Sequence, residues 1–173
     1  MTQKQKYKVT KSFPKFELRN YSNANTAEIE MSGGYSTATS SAFRHLFKYI
    51  SGGNEKSQKI AMTAPVIATA HDSMNSDNWT IAFVMPDGEK FEELPNPTDI
   101  NVVLREVESQ DFVAISFRGR ATSRKCEKKD HQLRDLAHAA NFSLSTETKI
   151  CRFDAPFKPG FMHYNEILVP IIT

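Results

Sequence analysis

A weak internal repeat constrains this chain more than any other feature of its sequence. Displaced by about 86 residues, Leu18-Arg19 falls on Leu104-Arg105, Ile29 on Ile115, Met31 on Phe117 and Gly33 on Gly119, while Phe47 falls on Leu133 and Ile50 on Leu136. With the offset stretched by a few residues, Lys59-Ile60 meets Lys149-Ile150 and Ala64-Pro65 meets Ala155-Pro156. With it slightly shortened, Phe83-Val84-Met85-Pro86 meets Ile167-Leu168-Val169-Pro170. Single matches of this kind mean little, but their shared order along the chain reads as a duplicated unit. The halves run over about 14–90 and 98–173 within a single domain spanning 1–173, a size that suits one core or two fused halves.

Each half reads strand, strand, helix, strand, strand. In the first, Phe16–Tyr21 and Ala27–Gly33 are strand candidates, followed by a helix that Ser36–Ser41 would cap and that runs to about Ile50. Gly52-Gly53-Asn54 stops that helix, because these residues accept the positive φ of a helix C-terminus. Strands at Lys59–Ala68 and Asn78–Met85 complete the half, and Asp87-Gly88 with the Pro-containing stretch Leu94–Thr98 links it to the second. The second half repeats the order with strands near Ile100–Val107 and Asp111–Gly119, a helix near Lys128–Asn141, and strands near Thr148–Phe153 and His163–Ile172. Two helices cannot cover eight strands, so the strands must cover one another. The expected fold is α+β: a duplicated unit forming a pseudo-twofold, mostly antiparallel distorted β-barrel of about eight strands flanked by two helices. On it Trp79, Ile81, Phe83 and Met85 share one face.

Composition removes several classes of function. The 22 Lys+Arg against 20 Asp+Glu leave a net charge of +2, without the basic excess of a dedicated nucleic-acid binder. No apolar run reaches the length of a bilayer span, and no apolar stretch follows the basic N-terminus as a secretory leader requires. Cys126 and Cys151 form no CxxC and read as free thiols of a reducing compartment. The expectation is a soluble, cytoplasmic protein with no nucleic-acid or membrane partner; its oligomeric state is left open.

No motif identifies a catalytic centre or a metal site: there is no nucleophile elbow, phosphate loop or zincin signature. His131 and His138 lie about 10.5 Å apart along a helix axis, too far for one small ion without a ligand between them. On the first helix the apolar arc formed by Ala42, Phe43, Leu46, Phe47, Tyr49 and Ile50 is about 160° wide, broader than a core-facing stripe needs. Phe43 and Phe47 form one edge of it, with Lys48 beside them; they either line a ligand groove or belong to the core. His45 lies across from that stripe. In Lys59–Val66, Met62 is a flexible, polarizable side chain next to a proline-broken strand. The stretch Asp154–Met162 carries Phe157, Phe161 and Met162 on a proline-stiffened loop, with Lys158 placed to meet an acid group. It either covers a ligand or packs on the barrel end.

The run Phe43…Leu46-Phe47-Lys48-Tyr49-Ile50-Ser51-Gly52-Gly53-Asn54, followed by Lys59-Ile60-Ala61-Met62-Thr63-Ala64-Pro65-Val66, resembles the SOUL/haem-binding-protein family. So do Phe83-Val84-Met85-Pro86, Leu94-Pro95-Asn96-Pro97, and Ala155-Pro156-Phe157-Lys158-Pro159 followed by Asn165-Glu166. The resemblance spans nearly the whole chain in order, and Met-Thr-Ala-Pro-Val is its most specific part. It implies a pseudo-twofold barrel and non-covalent binding of haem or another tetrapyrrole. The implied cleft lies between the first helix and the loop before the last strand. Phe43 and Phe47 match its apolar positions, and Lys48 and Lys158 its basic ones, which meet the propionates. Ser40 stands where the haem-binding branch has a further basic residue, and no His lies between Met1 and Arg44, where some relatives place an axial ligand.

The resulting expectation is a soluble carrier or buffer of haem or porphyrin with ligand-binding residues Phe43, Phe47, Lys48, Met62, Phe157 and Lys158, and no catalytic or metal residues. The alternative is a small-molecule-binding or hydrolytic member of the related effector-binding-like fold, which a buried Glu or Tyr facing the cleft would favour. A protein-interaction module without a ligand is the third reading.

Overall fold

The computed structural model describes residues 2–72, 74–155 and 157–172. Its strands are β1 (Gln3–Lys4), β2 (Tyr7–Ser12), β3 (Glu17–Tyr21), β4 (Ala24–Ser32), β5 (Thr63–Ala64), β6 (Val66–Ala70), β7 (Asn78–Val84), β8 (Val103–Val107), β9 (Gln110–Arg118), β10 (Thr148–Arg152) and β11 (Tyr164–Pro170). The helices are α1 (Tyr35–Ile50) and α2 (Ser123–Ala139). Nine strands form one antiparallel sheet in the order β2-β3-β9-β11-β10-β6-β7-β4-β8, and β1 pairs in parallel with β5. The sheet is curled into a half-barrel, with β2 and β8 as open edges rather than a closed seam.

Alternation in each strand divides the sheet into two faces. Trp79, Ile81 and Phe83 of β7 and Ile167 and Val169 of β11 join the larger core beneath the helices, where Leu46 and Leu133 are also fully buried. Ala82, Leu168, Ile67 and Phe112 point to the concave side and form a smaller cluster with Tyr21 and Cys151. Helix α1 packs on β4 and β7, and α2 on β9 and β11. Exchanging β3, β4, β6 and β7 for β8, β9, β10 and β11 reverses the order of those eight strands. Cys126, on α2, is buried in the core between the helices and the sheet, and Cys151 of β10 points to the concave side, so the sheet separates the two free thiols. Among the described residues no helix is long and apolar enough to cross a membrane.

Three local expectations need correction. Gly34, not a residue of Ser36–Ser41, stands at the N-cap of α1, and it offers no side-chain bond. The strand expected over Lys59–Ala68 begins only at Thr63 and is interrupted at Pro65, which has no N–H to contribute to a ladder. Helix α2 begins five residues before the expected Lys128, where the Thr122 hydroxyl accepts from the Lys125 amide. The strands β1 and β2 were not anticipated.

Candidate functional site

The C-terminus of α1 sets the geometry of the groove that the sequence suggested. Gly52 adopts φ +112°, and a Cβ on Gly53 would lie 2.6 Å from the Lys48 carbonyl oxygen, so the chain can turn this tightly only with glycine at both positions. Buried Asn54 then fixes the return. Its Nδ2 donates to the Tyr49 and Gln58 carbonyls, and its Oδ1 accepts from the Lys56 and Gln58 amides. Ser51 pairs with Lys59, and the Ile60 amide donates to the Ile50 carbonyl at 2.8 Å. The Tyr49 hydroxyl donates to the Pro95 carbonyl at 2.7 Å, tying the inter-half linker to the same helix.

This turn lays Lys59, Ile60 and Met62 beside Phe47, Ile50 and Ser51, and these six residues line a shallow, open, mainly apolar depression. Phe43 stacks on Phe47 with ring centroids 5.8 Å apart and planes 13° from parallel, and its other side meets the Phe83 ring. Phe43 is therefore half core, whereas Phe47 remains 48% exposed. Lys48 is exposed on the next position of the helix. Met62 is partly exposed at the rim. The structure thus brings Phe43, Phe47 and Met62 together and adds Lys59, which the sequence reading had quoted only as part of a motif. The signal for Lys59 was the glycine turn, which folds the chain back alongside the helix.

Phe157 and Lys158 are not among the residues lining that depression. Phe157 and Phe161 are largely exposed. The Lys158 ammonium is engaged within its own loop, donating to Asp154 Oδ1 at 2.8 Å. Asp154 also accepts from the Tyr164 amide, and His163 Nε2 bonds the Lys158 carbonyl. The Lys158 hydrogen bond, opposed by partial burial and aided by the Tyr164 amide, holds the Asp154 carboxyl below the ordinary carboxylate range. Because that value is lowered by folding, the brace is fully present above the unfolded Asp pKa of about 3.9 and is lost as pH falls through the lower folded value. The difference in thermal midpoint between wild type and Asp154→Asn should therefore stay constant from neutral pH down to about pH 4 and close below it. A difference that closes well above that range would remove Asp154 as the brace.

His45 bonds Asp99 through Nδ1, which accounts for it without a ligand. Among the described residues no group of three or more His, Cys, Asp or Glu side chains is arranged to hold a metal ion. Phe47 and Met62 give the α1 depression its exposed apolar surface, Lys59 lines it as a cation, and Lys48 follows Phe47 on the exposed side of the helix.

The concave face carries a different chemistry. Arg19 and Glu166, both nearly inaccessible and 147 positions apart in sequence, form a bidentate pair in which Nη1 and Nη2 each donate at 2.9 Å, while Nε donates to Glu17 Oε2 at 2.8 Å. Tyr164 donates to Glu166 Oε2 at 2.6 Å, Arg19 Nη1 donates to the Tyr21 hydroxyl at 3.0 Å, and the Tyr7 ring lies 4.0 Å from the guanidinium. Burial, reinforced by Glu166, pushes the Tyr164 hydroxyl up to about 12. Burial opposes the Arg19 charge, but the Glu166 hydrogen bonds and charge outweigh it and hold the guanidinium protonated. Nothing in the order of residues had pointed to this cluster.

A curled nine-stranded antiparallel sheet with both helices packed on one face defines an α+β distorted-barrel class of domain. The SOUL heme-binding protein profile matches residues 2–170, and the chain belongs to that family. It is 28% identical over 149 residues to heme-binding protein 1 of Xenopus tropicalis, covering 83% of this chain and 77% of that protein. To human heme-binding protein 2 it is 29% identical over 126 residues, covering 70% of this chain and 60% of that one. The fold is shared with the EcmrR C-terminal domain at a TM-score of 0.71 and 11% identity, covering 96% and 98% of the two chains. It is also shared with a hydrolase from Listeria innocua at 0.61 and 12%, covering 94% of each chain.

Proposed function

We propose that this protein binds haem or a related tetrapyrrole without covalent attachment, as a carrier or buffer in a reducing compartment, at the depression beside the C-terminal half of α1. The observation that carries this reading is the stacked Phe43–Phe47 pair, whose outer ring stays half exposed above Met62 and Lys59. The exposed Phe47 ring is surplus to the core, and a tetrapyrrole plane would bury it at about 25 cal/mol per Å² of apolar surface, less the cost of ordering the partners. When bound, haem supplies an iron and two propionates. Phe47 and Met62 would take the plane, and Lys48 and Lys59 would meet the propionates. A binding rather than catalytic role fits the state of the buried carboxylate: Glu166 accepts three hydrogen bonds from Arg19 and Tyr164 and is nearly inaccessible.

Haemin titration of the apo-protein, followed by its Soret band, tests the site. Lys48→Ala and Lys59→Ala each weaken binding by about 0–1 kcal/mol, and the loss shrinks at high salt because the pairs are exposed. Lys158→Ala has a smaller effect, since its ammonium already answers Asp154. His45→Ala leaves both affinity and band position unchanged. A shifted band in that variant would move the site to His45.

A further inference from the structure

The concave side of the sheet contains a cavity of about 270 Å³ that plays no part in the α1 groove. Its floor is the smaller apolar cluster, with Ile67, Ala82, Phe112, Leu168 and Tyr21 all lining it. No helix covers that cluster, because both helices pack on the other face. The N-terminal segment spans it instead. Pairing of β1 with β5 and of β2 with β3 carries the chain across the concave face, and Gln5 contributes to the lining.

The walls are unequally charged. A transverse row runs Lys149, Thr69, Thr80, Glu30 across four paired strands, and Glu28 lies in the next row on β4. Lys149 Nζ donates to Thr69 Oγ1 at 3.0 Å, and Arg105 Nε donates to Glu28 Oε1 at 3.1 Å, so both lining cations are engaged. Glu30 and Glu108 have no ion-pair partner among the described residues. Glu28, Glu30 and Glu108 against Lys149 and Arg105 leave one negative charge in excess, and the remaining lining base, His71, is taken up by Glu147 and Thr80. The Tyr21 and Phe112 rings stand edge to face at 5.4 Å beside it, and aromatic faces attract cations.

We propose that this cavity is a second binding site, for a small, flat aromatic molecule bearing one positive charge. The apolar body lies on Ile67, Ala82 and Leu168 against the Tyr21–Phe112 pair, and the cationic group faces the Glu30 wall. The size lies just below that of drug-sized pockets, which run from about 300 to 1,000 Å³, and suits a small ligand. A dianionic tetrapyrrole is both too large for the space and of the wrong sign for its wall. The two sites are therefore chemically complementary rather than alternative, and each stands or falls without the other.

Fluorescence titration of the intact chain with thioflavin T, a flat aromatic monocation, tests this against 1-anilinonaphthalene-8-sulfonate, a flat monoanion. Thioflavin T should saturate at one per chain and bind at least tenfold more tightly than the anion, with excess haemin leaving it in place. Glu30→Lys, at an exposed position whose change leaves the core intact, should weaken thioflavin T about tenfold, as expected for reversing one partly exposed charge pair. Ala82→Leu should weaken both dyes by filling the floor, and Phe47→Asp should change neither. Equal binding of the anion, indifference to Glu30→Lys, or loss of thioflavin T in Phe47→Asp would each overturn the proposal.

Discussion

Phe47→Asp should lower haemin affinity at least about a hundredfold, on the order of 3 kcal/mol or more, while leaving the circular dichroism spectrum unchanged. Two terms act in the same direction. The substitution removes the outer ring of the stacked pair, and with it the apolar area that a tetrapyrrole plane would cover. It also sets an ionised carboxylate against that plane, where no partner compensates its lost hydration and where it repels the propionates. The fold should tolerate the change because Phe47 is half exposed, whereas the buried side of α1 is carried by Leu46, Tyr49 and Ile50. The measurement is haemin affinity by Soret titration beside a thermal melt. Wild-type affinity in Phe47→Asp would place the ligand elsewhere on the molecule.

Glu166→Ala has the largest expected effect on stability. The buried Arg19 guanidinium would keep only the partly exposed Glu17 on Nε and lose both bonds of its buried partner, among Tyr7, Tyr21 and Cys151, and removing one member of a buried pair costs about 3–5 kcal/mol. The double replacement of Arg19 by Met and Glu166 by Leu removes both charges together and should recover most of that loss, because the pair's attraction largely offsets its own desolvation. Urea unfolding of the wild type, the single variant and the double variant decides the matter. A single variant within about 1 kcal/mol of wild type would show that water reaches the guanidinium and that the pair is not closed.

The elements that emerged from sequence reading are those whose pattern is local. Trp79, Ile81 and Phe83 alternate because one side of β7 faces the helices, and the breadth of the apolar arc on α1 already held one ring too many for the core. Gly52-Gly53-Asn54 marked the end of the helix because only those residue types make that turn. By contrast, β2 has no buried residue. It is a strand because β3 offers it a ladder and because Tyr7 packs on Arg19 and Tyr21, neither of which leaves a periodicity in Tyr7–Ser12. Lys158 looked like a rim cation, since a sequence does not show that the loop curls far enough for Asp154 to claim it.

Sequence alone therefore determined the fold class, the two helices, the main strands, the family and the aromatic edge of α1, all of which follow from spacing along the chain or from motifs that keep their order. Tertiary structure decided what depends on strands far apart in sequence becoming neighbours. It set the bidentate pairing of Arg19 with Glu166 and the charged wall over the concave apolar floor. Those contacts arise from sheet register and curvature, and a one-residue slip of a strand would turn each of these side chains to the opposite face.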